Sequence, residues 1–323
     1  MQSKRGGRSL ATTLALASAL SWASYYVFVL WLAPLTSAAV IVVYPFIIGG
    51  VIFLVWALAR GEASTFLALW RDPMAYVRIL LAVVMQIASL VGTYSAGPID
   101  TSLLALLGDV IMVPLLLMVL FGEDRDLVRT PWFLAGVAIC LIGGGLTIVG
   151  GQTLTPVNGW TLLIVPVIPL SIGLYFLLTA RAARTTSLVS LNAQAMLGSG
   201  VVSALIAPAF PRGQMGLGVD SLLVVLILIA LGVVVYFIAP YLYFAAIERG
   251  GLIPTAILMS MIPAFTLVLS VTVLGIAPSL LAAFGIPVAI VGAFCALEGQ
   301  NRAKRRIPPE TAPHLVPAPT PSG

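Results

Sequence analysis

The sequence predicts an all-α polytopic membrane protein, with ten transmembrane helices forming two inverted five-helix repeats. Three observations predict it. The 323 residues are 60% hydrophobic and 8% charged, with a mean hydropathy of +1.12, whereas a soluble domain carries about 25% charged residues. Long apolar runs bounded by charges, prolines or glycines recur along the chain, each near the roughly 20 residues that a bilayer crossing needs. The chain also matches itself at a shift near 150. With 16 basic and 11 acidic residues, a water-soluble globule of this length could not cover its surface. High apolar content and two cysteines exclude disorder, collagen and disulfide scaffolds. The runs lack the alternation of barrel strands.

The spans are expected at 10–32, 35–59, 76–96, 100–121, 131–150, 158–180, 186–208, 220–244, 252–274 and 279–297. The first follows Lys4, Arg5 and Arg8, and Ala17-Ser18-Ala19 imitates a signal-peptide cleavage site. Its apolar run continues through Tyr26, Val27, Phe28 and Trp31, too long for a signal h-region, so an uncleaved span is expected. Prolines lie inside the second (Pro45), fourth (Pro114), sixth (Pro166, Pro169), eighth (Pro240), ninth (Pro263) and tenth (Pro287) spans. Each removes a backbone donor and frees the carbonyl four residues back. Seven such breaks suit a central cavity whose water or neighbours satisfy the freed groups; the alternative is ordinary kinking. The fifth and tenth spans carry Gly136, Gly143, Gly144, Gly145, Gly285 and Gly292, smooth faces for packing the repeats or a dimer. Cys140 and Cys295 lie in these two spans and read as buried single thiols.

An even number of spans puts both termini on one side. With that side cytoplasmic, fifteen of the 16 basic residues fall inside and only Arg212 outside, a strong positive-inside bias. The expected location is therefore the cell membrane (inner or plasma), multi-pass, with both termini cytoplasmic. Basic residues then serve topology and anionic headgroups, and no nucleic-acid partner is expected. Beyond 297 the chain turns polar and proline-rich and reads as a disordered cytoplasmic tail, 298–323. His314, the single histidine, lies in it.

The internal match pairs Ser21 and Tyr25 with Ser171 and Tyr175, and Thr36-Ser37 with Thr186-Ser187. Tyr94 meets Tyr243, Gly122 meets Gly275, and Gly136 and Gly143 meet Gly285 and Gly292. A five-helix unit crosses an odd number of times, so its second copy inserts upside down. Inverted repeats are the architecture of many secondary transporters, with substrate bound near the midplane between copies.

Polar groups inside the spans are candidates for that site. Asp109 lies midway along the fourth span in the apolar run Leu103–Phe121. A central Asp costs about 2.5–3.5 kcal/mol on insertion scales, so it should face a cavity or a partner. It is expected to be the coupling proton site or the anchor of a cationic group; the alternative is a structural, protonated Asp near the Pro114 break. Trp22 and Tyr25 share a helix face, and Gln86 shares one with Ser89 and Thr93. Ser171 and Tyr175 lie on the sixth span, Asn192 and Gln194 on the seventh, and Tyr236 and Tyr243 on the eighth. These complete the substrate-binding set, with packing as the alternative for each tyrosine. Buried amides need partners.

The run Tyr241-Leu-Tyr243-Phe-Ala-Ala-Ile-Glu-Arg-Gly250, then Thr255-Ala-Ile, Met261-Ile-Pro263 and Leu274-Gly275, resembles the repeat ending of EamA-type transporters of the drug/metabolite transporter superfamily. Ala105 through Leu120-Phe-Gly122-Glu123, then Gly136 and Gly143, resemble it in the first half. The resemblance implies repeats over 1–152 and 153–297, helix breaks at Pro114 and Pro263, and transport of small metabolites, often outward. Ile276 stands where the family has a glutamate after Leu-Gly, and Val110 at the position of its first-half proline. Tyr44 stands where many relatives carry an arginine in the second helix, so Tyr44 joins the candidate site and the substrate class stays open.

The expected function is a secondary active transporter: a proton-coupled exporter of a small metabolite, such as an amino acid or amphipathic compound, by alternating access. The alternative is a passive facilitator. An enzyme is disfavoured, because no span carries a histidine, no serine has a nearby base, and Asp100 and Asp109 face opposite sides of one helix. No cofactor or metal is expected. The expected partners are the metabolite, protons and the lipid bilayer, with the chain a monomer or homodimer.

Overall fold

The computed structural model describes residues 2–121, 130–150, 159–209, 222–251, 255 and 258–305. Among them there is no strand, and each predicted span carries a helix. The first half holds α1 (Gln2–Leu32), α2 (Ala38–Ala59), α3 (Ala63–Leu69), α4 (Pro73–Ser95), α5 (Pro98–Leu107), α6 (Val113–Phe121) and α7 (Pro131–Gly150). The second holds α8 (Gly159–Ala182), α9 (Leu188–Ile206), α10 (Leu222–Leu231), α11 (Ala239–Gly250), α12 (Ile262–Leu274) and α13 (Leu280–Arg305). Five helical stretches are long and apolar enough to cross a membrane: Ser9–Leu32, Ala38–Ala59, Pro73–Ser95, Leu188–Ala209 and Leu222–Gly250. Five more apolar helices are shorter: Pro98–Leu107, Pro131–Thr147, Pro166–Ala182, Ile262–Leu274 and Leu280–Ala296. Large apolar side chains such as Val119, Leu205, Leu222 and Phe284 stand exposed on outer faces, a surface suited to lipid rather than water.

Local chemistry sets the helix ends. Ser37 caps α2, accepting from the Val40 N–H at 3.4 Å, and Asp72 caps α4, accepting from the Met74 N–H at 2.9 Å, each satisfying an otherwise orphaned donor. Gly97 (φ 96°) and Gly251 (φ 89°) make the sharp turns after α4 and α11, a conformation that a side chain would strain. Each glycine carbonyl then accepts the hydroxyl of a threonine four residues on, Thr101 at 2.8 Å and Thr255 at 2.9 Å.

Two spans widen into π-helix, at Gly108–Met112 between α5 and α6 and at Gly232–Ile238 between α10 and α11. The Val113 and Ala239 N–H groups reach back to the Gly108 and Val234 carbonyls. In both spans a proline follows two residues after the widened turn, Pro114 and Pro240. A proline ring clashes with the carbonyl of the preceding turn, and the wider turn relieves it.

The helices cross the halves as they pack. α7 lies along α13, where a Cβ on Gly136, Gly143, Gly285 or Gly292 would overlap backbone or Thr147 of the partner helix. α2 lies along α9, with Gly50 against Leu197 and Gly200 against Ile47. α1 packs on α11 and α12, and α4 and α5 pack on α8. One large core cluster joins α1, α2, α4, α8, α9 and α11, and a smaller one joins α5, α7 and α13.

Two elements differ from expectation. α3 falls between predicted spans; its short apolar run is flanked by Glu62 and Arg71 and docks through Phe66 and Leu69. α13 continues past the predicted end at 297 as far as Arg305. Arg302 pairs with Glu298 at 2.9 Å and lies 4.5 Å from the Trp132 ring centroid, so its charge stays with the helix.

Candidate functional site

A cavity lies midway along α4, where helices from both halves converge. α1 contributes Trp22, Tyr25 and Tyr26, α4 contributes Met85, Gln86 and Ser89, and α5 contributes Ala105. From the second half come Ile172 and Phe176 of α8, with Met259 and Ile262 beside the Pro263 turn. Gln86 Nε2 donates to the Tyr25 hydroxyl at 3.0 Å, a buried pair joining α4 to α1. The Trp22 indole N–H is buried without a hydrogen-bond partner among the described residues, and its ring meets Phe176 edge-on at 6.1 Å. The free space is about 50 Å³, room for a few waters at roughly 10–15 Å³ each. An amphipathic metabolite needs roughly 300 Å³ or more, so these walls must separate to admit one.

The other predicted residues whose side chains are described do not line this cavity. Tyr175 and Tyr243 both pack against Phe176, at 5.4 and 4.7 Å between ring centroids. Tyr236 meets Phe46 edge-on at 4.8 Å, and Tyr44 lies half-buried against the core. The Ser171 hydroxyl turns back to the Val167 carbonyl at 2.7 Å. Asn192 donates to the Leu188 carbonyl at 2.9 Å and Gln194 to the Leu69 carbonyl at 3.2 Å, so Gln194 fastens α9 to α3. Asp109 falls in the first π turn and Pro114 in α6; their side chains lie outside the described residues. Pro263 stands in the first turn of α12, after the break at Ser260-Met261.

Two acidic residues outside the predicted set flank α4 in the chain, Glu62 before α3 and Asp100 in the first turn of α5. Beyond the N-terminus of α4, Glu62 accepts hydrogen bonds from Ser187, the residue that opens α9, and from Ser190 at 2.8 Å, while Arg60 pairs with it at 2.9 Å. Partial burial pushes the Glu62 carboxyl up, but these hydroxyls and the Arg60 guanidinium hold it below the usual glutamate value. The contact ties the α2–α3 corner to the second half. Beyond the C-terminus of α4 a larger cavity of about 340 Å³ opens between the Ala96-Gly97 turn, the start of α5 and the Gly275–Ser279 turn. Asp100 lines it, 4% exposed, and its Oδ1 has no hydrogen-bond partner among the described residues. Glu62 sits among loop charges and carried no local signal, whereas Asp100 follows Gly97-Pro98 at a helix start. Gly-Pro-x-Asp in an otherwise apolar stretch was the available clue to Asp100. Among the described residues no group of three or more His, Cys, Asp or Glu could hold a metal ion.

Residues 159–297 match the family model of the EamA-like transporter family, part of the drug/metabolite transporter superfamily. A solved structure, described only as the crystal structure of a protein, shares the fold at a TM-score of 0.66 and 22% sequence identity, covering 92% of this chain and 98% of that chain. Among the curated proteins none matches. The match covers the second half of the chain, and the apolar helices among the described residues suit a multi-pass membrane protein.

Proposed function

Starting from an EamA-like second half, we propose that the chain is a secondary active transporter, a proton-coupled exporter of a small metabolite such as an amino acid or amphipathic compound. Ten spans, as two inverted repeats over 1–152 and 153–297, alternate access to the central cavity. The observation that carries the reading is that cavity: it sits midway along α4 and draws its wall from both halves.

The packing supports the repeat. α1 meets α11 and α12 as α8 meets α4 and α5, while α2–α9 and α7–α13 join counterparts. The turns after α1 and α8 follow the same hydrogen-bond course, Thr36 to Leu32 and Thr186 to Ala182. Gly97–Thr101 and Gly251–Thr255 repeat one cap. Arg60, Arg71, Arg78, Arg181, Arg184 and Arg249 stand at the Glu62 end by helix direction, so that end faces the cytoplasm by the positive-inside rule. The Asp100 end then faces outward.

Asp109 carries the coupling. It belongs to the π turn that packs against Pro169 and Ile172 of α8 through Gly108, and π turns gather at functional positions. Gln86, Tyr25 and the free Trp22 N–H supply the polar contacts for the solute. The test is accumulation in liposomes with an imposed pH gradient, using a panel of amino acids and amphipathic amines. The account expects Asp109→Asn to abolish gradient-driven accumulation while leaving downhill exchange. Full proton-dependent accumulation by Asp109→Asn would remove the coupling role, and accumulation indifferent to the gradient in the native chain would favour a facilitator.

A further inference from the structure

We infer that the cavity beside Asp100 is a binding site for an organic ammonium group, with the Asp100 carboxylate as its counter-charge. The inference rests on the transporter reading and gives it a solute class: cationic or zwitterionic amphiphiles that carry an amine.

An ionised carboxylate taken out of water is costly unless a partner compensates it. Asp100 is almost wholly buried, and its Oδ1 finds no partner among the described residues. Among the described residues no lysine or arginine lines the cavity. Asp100 lines the cavity from the first turn of α5, with its Oδ1 buried beside the open space. Among the described residues nothing supplies the compensating charge, and an entering cation would.

The remainder of the wall selects what that is. Pro98, Ile99, Ile276, Pro278 and Ala282 are apolar, and Ser279 is engaged in accepting the Ala282 N–H at 3.1 Å. A hard metal cation takes six or more oxygen ligands, which one carboxylate and one hydroxyl do not supply. An anion would meet only repulsion. An apolar body ending in an ammonium fits both parts of the surface, and about 340 Å³ lies within the usual range for a small-molecule site. The position suits a solute on its way out: Ala105 of the central cavity stands about 7.5 Å further along α5, at 1.5 Å per residue.

The test reads charge selectivity directly. Ala277, an exposed residue of the cavity wall, is replaced by cysteine in the full chain with Cys140→Ala and Cys295→Ala. Labelling rates are measured in liposomes with aminoethyl, methyl and sulfonatoethyl methanethiosulfonate. The expected aminoethyl-to-sulfonatoethyl ratio exceeds that of a free thiol in solution by at least about 10-fold, as a focused negative site requires. Asp100→Asn returns it to the solution ratio and Asp100→Glu keeps it. Hexylammonium slows labelling of the native site and hexanol does not. A ratio unchanged by Asp100→Asn, or equal protection by hexanol, overturns the ammonium site while transport of other solutes keeps the transporter reading. A large Asp100-dependent ratio in a chain that transports no solute keeps the site and overturns that reading.

Discussion

Glu62, at the start of α3, and Asp100, in the first turn of α5, flank α4 in the chain, and their surroundings could hardly differ more. α4 spans 23 residues, about 34 Å at 1.5 Å per residue. At one end Glu62 is met by two serine hydroxyls from the other half and by Arg60. At the other, Asp100 faces a cavity with its Oδ1 unpartnered among the described residues. A satisfied carboxylate holds two elements together; an unsatisfied one is stabilised only by what arrives. The contrast teaches that the chain is fastened at the Glu62 end and receptive at the Asp100 end, with a cavity too small for a metabolite between them.

The contrast breaks most sharply at Asp100. Asp100→Asn is expected to lower transport of amine-bearing solutes at least 10-fold, since losing one partner of a buried charge contact costs about 2–5 kcal/mol; initial rates into inverted liposomes measure this, with a neutral solute as control. Next comes Glu62→Ala, which leaves the Ser187 and Ser190 hydroxyls without their acceptor. A loss of about 2 kcal/mol is expected from charge-assisted hydrogen bonds, read as a fall in melting temperature in detergent. Thiol labelling of Ser190→Cys from the same side should rise with it.

Acid should weaken the same fastening. The folded Glu62 value lies below its ordinary one, so its contribution is complete above the unfolded pKa of about 4.3 and fades as pH falls through the folded value. The melting difference between the native chain and Glu62→Gln should therefore be present at neutral pH and shrink below about pH 4. Smallest is the effect of Gln86→Leu, which removes the donor to Tyr25 at about 1 kcal/mol. It should change solute preference in competition assays more than it changes melting.

Much of this architecture was written in the chain. Long apolar runs pointed to the helices, five of which are long and apolar enough to cross a membrane. Smooth glycine faces announced the α7–α13 contact, and the prolines marked where Pro114 and Pro240 widen a turn. The widening itself was not legible, since the same residue at Pro45 and Pro287 leaves an α-helix unbroken. Aromatic and amide spacing pointed to Trp22, Tyr25 and Gln86, which line the cavity, and equally to Tyr175, Tyr236 and Tyr243, which pack rings around it. Spacing fixes a helix face; only the neighbouring helix decides whether that face meets space. Glu62 and Asp100 escaped for the same reason. The serines that bind Glu62 lie 125 and 128 residues away, and the turn that buries Asp100, Gly275–Ser279, belongs to the other half.

Alternating access, as proposed, requires the Glu62 end to open in each cycle of transport. With Cys140→Ala and Cys295→Ala as background, Glu62→Cys and Ser187→Cys can be joined by a short bis-methanethiosulfonate reagent and freed by reductant, while solute flux into liposomes is followed. The account predicts that flux stops on cross-linking and returns on reduction. Flux that continues undiminished with the two residues joined would contradict it.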